Sequence, residues 1–170
     1  MLILKFVLKF IRILNKDASP QQIAGGIALG SIIGITPFSS LHNLAVLVLI
    51  LMVRVNISSA LLGVLVFTAF AYVLDPLFNS VGYYLLVDAS FLRPLWTALY
   101  NMPVVPWTKF NNTLTLGSLV CALVLFWPLY FFLVWAVVNY REKVMVSIQK
   151  WKIVTMLKGS KLYSLYTSYS

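Results

Sequence analysis

The chain places glycine at positions 26, 30 and 34 of an apolar run and then breaks at Thr36-Pro37. Residues four apart share one helix face, and each glycine in a helix interior costs about 1 kcal/mol relative to alanine. Three on one face therefore require a compensating gain, most simply the close approach of another backbone. Whatever this chain folds into must place something directly against that face.

The run has a marked start. Ser19-Pro20-Gln21-Gln22 offers a serine cap, a proline suited to the first helical position and a glutamine where a capping box needs it. A helix over residues 23–35 is about 20 Å long, short of the roughly 30 Å hydrocarbon core of a bilayer. Beyond Pro37, the residues Ser39, Ser40, His42 and Asn43 form a polar tip, and an apolar stretch over 44–53 returns to Arg54 and Asn56. This pattern predicts a re-entrant hairpin of half-helices, with a thin, tilted two-pass hairpin as the alternative. Irregular backbone at membrane depth must be enclosed by other helices or subunits.

Composition supplies the membrane. With 61% hydrophobic and 10% charged residues, the chain cannot cover itself as a soluble domain of its length must. The single cysteine, Cys121, lies in the longest apolar run and gives neither a disulfide framework nor a cysteine metal site. Basic and apolar residues are mixed at the start and no small-residue cleavage site follows, so no removable signal peptide is expected.

The expected fold is an all-α integral membrane protein. It combines broken or re-entrant Gly/Pro hairpins with one long C-terminal transmembrane helix and amphipathic interfacial helices at both ends. Residues 1–18 form the first interfacial helix, with Lys5, Lys9, Arg12 and Lys16 as one cationic stripe. Residues 19–88 form the hairpin domain, in which 57–74 is long enough to cross but Asp75-Pro76 interrupts it before 77–87. A shift of 39 positions lays Ser19 on Ser58, Thr36 on Asp75 and Pro37 on Pro76, hinting at two related broken helices. Paired interrupted segments of that kind point to transporter-type sites. Residues 89–112 read as an interfacial helix and proline-stiffened loop, 113–140 as the transmembrane helix with Pro128 inside it, and 141–170 as a basic amphipathic tail.

Charge orients the whole. Of 13 Lys and Arg residues, four fall within the first sixteen positions and six follow Tyr140, so both ends are expected on the cytoplasmic side of a bacterial inner membrane. The net charge of +9 suits anionic lipid, and nucleic acid is not an expected partner because no solvated basic domain exists to bind it.

The block over residues 19–88 resembles the bacterial membrane family called domain of unknown function 2062. The resemblance rests on Gly30-Ser31-Ile32-Ile33-Gly34-Ile35-Thr36-Pro37, then His42, Arg54-Val55-Asn56 and Leu61-Leu62-Gly63. Ser39-Ser40 stands where the family has Pro-Gly, and Asp75-Pro76 stands nearest its downstream Asn-Pro-x-Thr, which marks a divergent branch. The resemblance implies a hairpin membrane fold and no particular reaction.

Ser19-Pro20, Thr36-Pro37 and Asp75-Pro76 each put a capping side chain before proline, as helix starts do. Starts aimed inward would offer free N–H groups and a positive dipole end to an anionic group such as lipid phosphate. An acid at membrane depth needs a partner, for which Arg54 and His42 are the candidates. The candidate ligand-binding residues are thus Gly26, Gly30, Gly34, Thr36, Pro37, His42, Arg54 and Asp75. No nucleophile–base pair, carboxylate pair, phosphate loop or metal spacing is present, so no enzyme, metal or cofactor is expected. The leading expectation is a small inner-membrane subunit of an envelope phospholipid-transport assembly, partnered by another membrane protein or a second copy. The alternatives are a structural adaptor docking a partner's transmembrane helix on the glycine face and, last, a proton-coupled carrier using Asp75 and His42.

Overall fold

The structure, a computed structural model, describes residues 18–145, with side chains described as far as Glu142. The stripe of Lys5, Lys9, Arg12 and Lys16 and the tail beyond residue 145 lie outside the described residues. The described residues form helices and turns without strands: α1 (Pro20–Ile35), α2 (Leu41–Met52), α3 (Ile57–Tyr83), α4 (Arg93–Tyr100) and α5 (Thr113–Asn139).

Each helix begins where local chemistry permits. Ser19 Oγ accepts from Gln22 N–H while Gln22 Oε1 accepts from Ser19 N–H, the reciprocal capping box predicted for α1. Asn56 Oδ1 accepts from Ser59 N–H at the start of α3, and Asn112 Oδ1 from Thr115 N–H at the start of α5. Pro37, which lacks an N–H, follows the end of α1 and prevents its continuation.

The core is a bundle of α1, α3 and α5. Successive glycines of α1 meet successive turns of α3, Gly26 at Ser59, Gly30 at Ala60 and Gly34 at Phe67, so the two helices run parallel. Gly82 of α3 meets Thr113, and Gly117 of α5 meets Phe78, so α5 runs antiparallel to both. Every residue of α1 from Ile23 to Ile35 is buried, which supplies the enclosure a short interior helix requires. By contrast, α2 buries only Asn43 and Ile50 and packs lightly on the bundle's side.

The bundle closes at its base, where Arg141 Nη2 donates to the carbonyl of Ala18 at 2.8 Å. Both ends of the described chain therefore lie at one end of the bundle. At the other end, Trp96 of α4 donates to the Leu85 carbonyl and packs near Phe110, tying the loop between α3 and α5 to the end of α3.

Two stretches, Ile57–Asp88 and Thr113–Glu142, are long and apolar enough to cross a membrane. Only 28% and 11% of their most apolar windows are buried, whereas the core helix of a soluble protein would be mostly covered. Much of their apolar surface faces outward.

The structure corrects the break expected at Asp75-Pro76. α3 runs without interruption through Pro76, and a π turn carries it on to Asp88. Proline removes one backbone hydrogen bond, and an apolar helix supported by its neighbours tolerates that loss. With Thr36 ending one helix and Asp75 inside another, the suggested repeat at a shift of 39 has no structural counterpart.

Candidate functional site

The glycine face is occupied by the chain itself. A Cβ at position 26 would lie 2.6 Å from the Asn56 carbonyl oxygen, and one at 34 would lie 2.7 Å from that of Val64. At 30 it would collide with the Ala60 carbonyl, and Gly63 reciprocates from α3, where a Cβ would lie 2.5 Å from the Ile27 carbonyl oxygen. Gly26 and Gly30 are thus closed to any ligand or partner helix, which corrects their assignment as ligand contacts. Gly34 packs on α3 and also borders the cavity described below.

At the tip, Thr36 caps the end of α1 rather than the start of a helix. Its Oγ1 lies 2.8 Å from both the Ile32 carbonyl and Asn43 Oδ1, while Asn43 Nδ2 donates to the Pro37 carbonyl at 3.0 Å. Asn43 therefore holds the two arms together. The next helix starts from Ser40, whose side chain makes no capping bond, so the expected helix start at Thr36-Pro37 is absent. Lys109, in the left-handed region at φ 58°, donates from Nζ to Ser39 Oγ at 3.3 Å and joins the tip to the loop before α5.

Beside the tip lies a cavity of about 470 Å³. The last turn of α1 contributes Ile33, Gly34 and Ile35, and the turn contributes Thr36, Pro37 and Phe38. Thr68, Ala71, Tyr72 and Asp75 of α3 form the facing wall, with Leu114 of α5. Phe38 and Tyr72 are 84% and 78% exposed, so the rim is continuous with the outward apolar surface. No lining residue is basic, and Asp75 has no hydrogen-bond or ion-pair partner among the described residues.

Four of the predicted site residues, Gly34, Thr36, Pro37 and Asp75, meet in this cavity. The others do not. Arg54 is exposed at the base of the bundle, just before α3, whose first residue Ile57 lies about 27 Å along the helix from Asp75 at 1.5 Å per residue. There it lines a second cavity of about 400 Å³ with Gln21 and Gln22, against Trp127 and Tyr130. His42 borders neither cavity, and both of its ring nitrogens are buried without a hydrogen-bond partner among the described residues. The expected pairing of Asp75 with Arg54 or His42 is not present.

Residues outside the predicted ligand-binding set carry much of the geometry. Asn56 donates its N–H to the Gln22 carbonyl at 3.1 Å and caps α3, so the Asn of Arg54-Val55-Asn56 has the structural role. A cap-type side chain before an apolar run was the available signal. Asn43 was legible only as part of the polar tip and Thr68 not at all, because the partners of each are set by the fold.

A family model described as "Uncharacterized protein conserved in bacteria (DUF2062)" matches residues 5–145. An uncharacterized protein of Treponema pallidum (strain Nichols) is 26% identical over 159 residues, covering 94% of this chain and 98% of that relative. No solved structure matches the chain. The resemblance read from the hairpin residues is borne out, and the match extends well beyond the hairpin at both ends.

Proposed function

The chain belongs to the bacterial family DUF2062, and from that premise we propose that it is a small membrane protein that binds phospholipid in the cavity beside the α1–α2 turn. The observation that carries this reading is the cavity's form. Its lining sets the buried Thr36 and the half-buried Thr68 and Asp75 beside Phe38 and Tyr72, two large side chains exposed on the outward surface. Polar groups set beside exposed apolar side chains suit an amphiphile, whose headgroup meets the former while its acyl chains stay in the membrane. The volume lies within the roughly 300–1,000 Å³ typical of small-molecule sites.

In this reading α3 and α5 cross the inner membrane, α1 and α2 form the re-entrant hairpin, and the base carrying Arg54 and Arg141 faces the cytoplasm. Lys109, held on Ser39 next to the rim residue Phe38, sets a cation beside the opening for a lipid phosphate. A three-helix core of this size cannot enclose a translocation pathway alone, so the protein acts as a subunit of an envelope lipid-transport assembly.

One observation favours a second reading. Leu44, Leu47, Val48 and Leu51 form an exposed stripe at helical spacing on α2 and could seat a partner's transmembrane helix in a non-transporting adaptor. The glycine face no longer supports that reading, since α3 fills it.

Thermal unfolding of the delipidated protein in detergent, with phospholipid added back, tests the proposal. A ligand that binds only the folded state raises stability with its concentration, by roughly 2.7 kcal/mol at a hundredfold excess over Kd. We expect a saturable rise in Tm that Ala71→Phe, which fills the cavity, abolishes. The same rise in both proteins would rule out this cavity as the lipid site.

A further inference from the structure

We propose that the cavity beside the turn selects a primary ammonium group, and that its natural occupant is a phospholipid with an ethanolamine headgroup. This rests on the lipid-binding reading above and names the headgroup class.

The polar groups around the cavity are overwhelmingly hydrogen-bond acceptors. Ile33, Gly34 and Ile35 belong to the last turn of α1, whose carbonyls lack onward helical partners and carry the negative end of the helix dipole. No basic residue in that turn offsets it. Thr68 Oγ1 spends its proton on the Val64 carbonyl at 2.7 Å. The Thr36 hydroxyl is likewise committed, between Ile32 O and Asn43 Oδ1. Toward the cavity both hydroxyls can only accept.

Pro76 adds another acceptor, for it has no N–H to give the carbonyl of Tyr72 four residues earlier. Asp75 supplies a carboxylate, and no described residue forms an ion pair or hydrogen bond with it. The Tyr72 hydroxyl, on a side chain exposed at the rim, is the one side-chain donor in the lining.

A site of this kind wants a cation with several N–H donors. Primary ammonium has three, whereas the trimethylammonium of a choline lipid carries the same charge and none. A bare monovalent ion would leave most of about 470 Å³ unfilled. The same geometry corrects the expectation that half-helix starts would hold phosphate here, because the helix end bordering the cavity is a C-terminus.

The test loads the full-length protein into discs with equal ethanolamine, choline and glycerol phospholipids and quantifies lipid retained after detergent extraction by mass spectrometry. We expect roughly tenfold enrichment of the ethanolamine lipid over the choline lipid, the scale of one charge-assisted hydrogen bond. Asp75→Asn should bring the ratio near one. Pro76→Ala, which restores a donor to the Tyr72 carbonyl, should lower it in part and provides a reading should Asp75→Asn fail to fold. Retained lipid without headgroup preference, or a preference unchanged in Asp75→Asn, overturns the ammonium assignment and leaves lipid binding standing.

Free ethanolamine, added to the delipidated protein, separates the remaining cases. If no lipid is retained but ethanolamine raises Tm, the ammonium site stands with a soluble amine as its source and the lipid reading fails. If neither binds, both fail.

Discussion

Gly30 lies directly against the carbonyl of Ala60, so close that position 30 has no room for a Cβ. Parallel helices α1 and α3 approach here at backbone distance, and this contact gives the glycine spacing its physical meaning. The face that resembled a docking surface is an internal seam, and the proposed site lies one turn further, at the end of α1.

Gly30→Ala should therefore destabilise the fold by about 2–3 kcal/mol, the cost of forcing a methyl group into a filled interface. Gly25→Ala should cost under about 1 kcal/mol, since its Cβ would meet the Val55 side chain at 3.0 Å and that chain can shift. Thermal unfolding of the two variants in one detergent checks the contrast. Equal losses would mean that the seam is not where the close packing matters.

Thr36→Val removes the hydroxyl that joins α1 to Asn43 and leaves Asn43 Oδ1 without its partner at a buried position. A loss of about 1–3 kcal/mol is expected, with faster amide exchange confined to residues 36–43. Asn43→Leu should produce the same local opening. Exchange that rises evenly along the chain would argue against a tip pinned by this pair.

Pro76→Ala should raise Tm, because it adds a backbone donor to a helix that is already continuous. Helical content by circular dichroism should stay the same. A gain of several helical residues would show instead that Asp75-Pro76 ends a helix.

Ser19→Ala removes the hydroxyl that accepts from the Gln22 N–H, leaves the backbone N–H that donates to Gln22 Oε1, and should cost about 1 kcal/mol. The denaturation midpoint gives the answer. No change would mean that tertiary contacts, rather than the cap, fix where α1 begins.

Local chemistry made parts of this fold legible in the sequence. The Ser19-Pro20-Gln22 start, the stop at Pro37 and the need for close approach at Gly26, Gly30 and Gly34 all follow from short-range rules. Which backbone fills that face is a long-range fact, and nothing local to Gly30 names Ala60. Asp75-Pro76 misled because the same dipeptide can start a helix in water and sit inside an apolar one that neighbours support. Half of the site residues converge because one turn of α1 meets one turn of α3. Arg54 and His42 shared only the polar character of the loops around the hairpin, and the fold separates them from Asp75.

Occupancy of the cavity walled by Thr36, Ala71 and Asp75 by a phospholipid is open to direct measurement. Native mass spectrometry of the full chain released from membranes in mild detergent counts lipids that survive extraction. About one tightly held phospholipid per chain is expected, in the cavity at the tip, as is its loss in Ala71→Phe while the variant remains folded. A wild-type protein that emerges without lipid, or a variant that keeps as much as the wild type, would contradict lipid binding in this cavity.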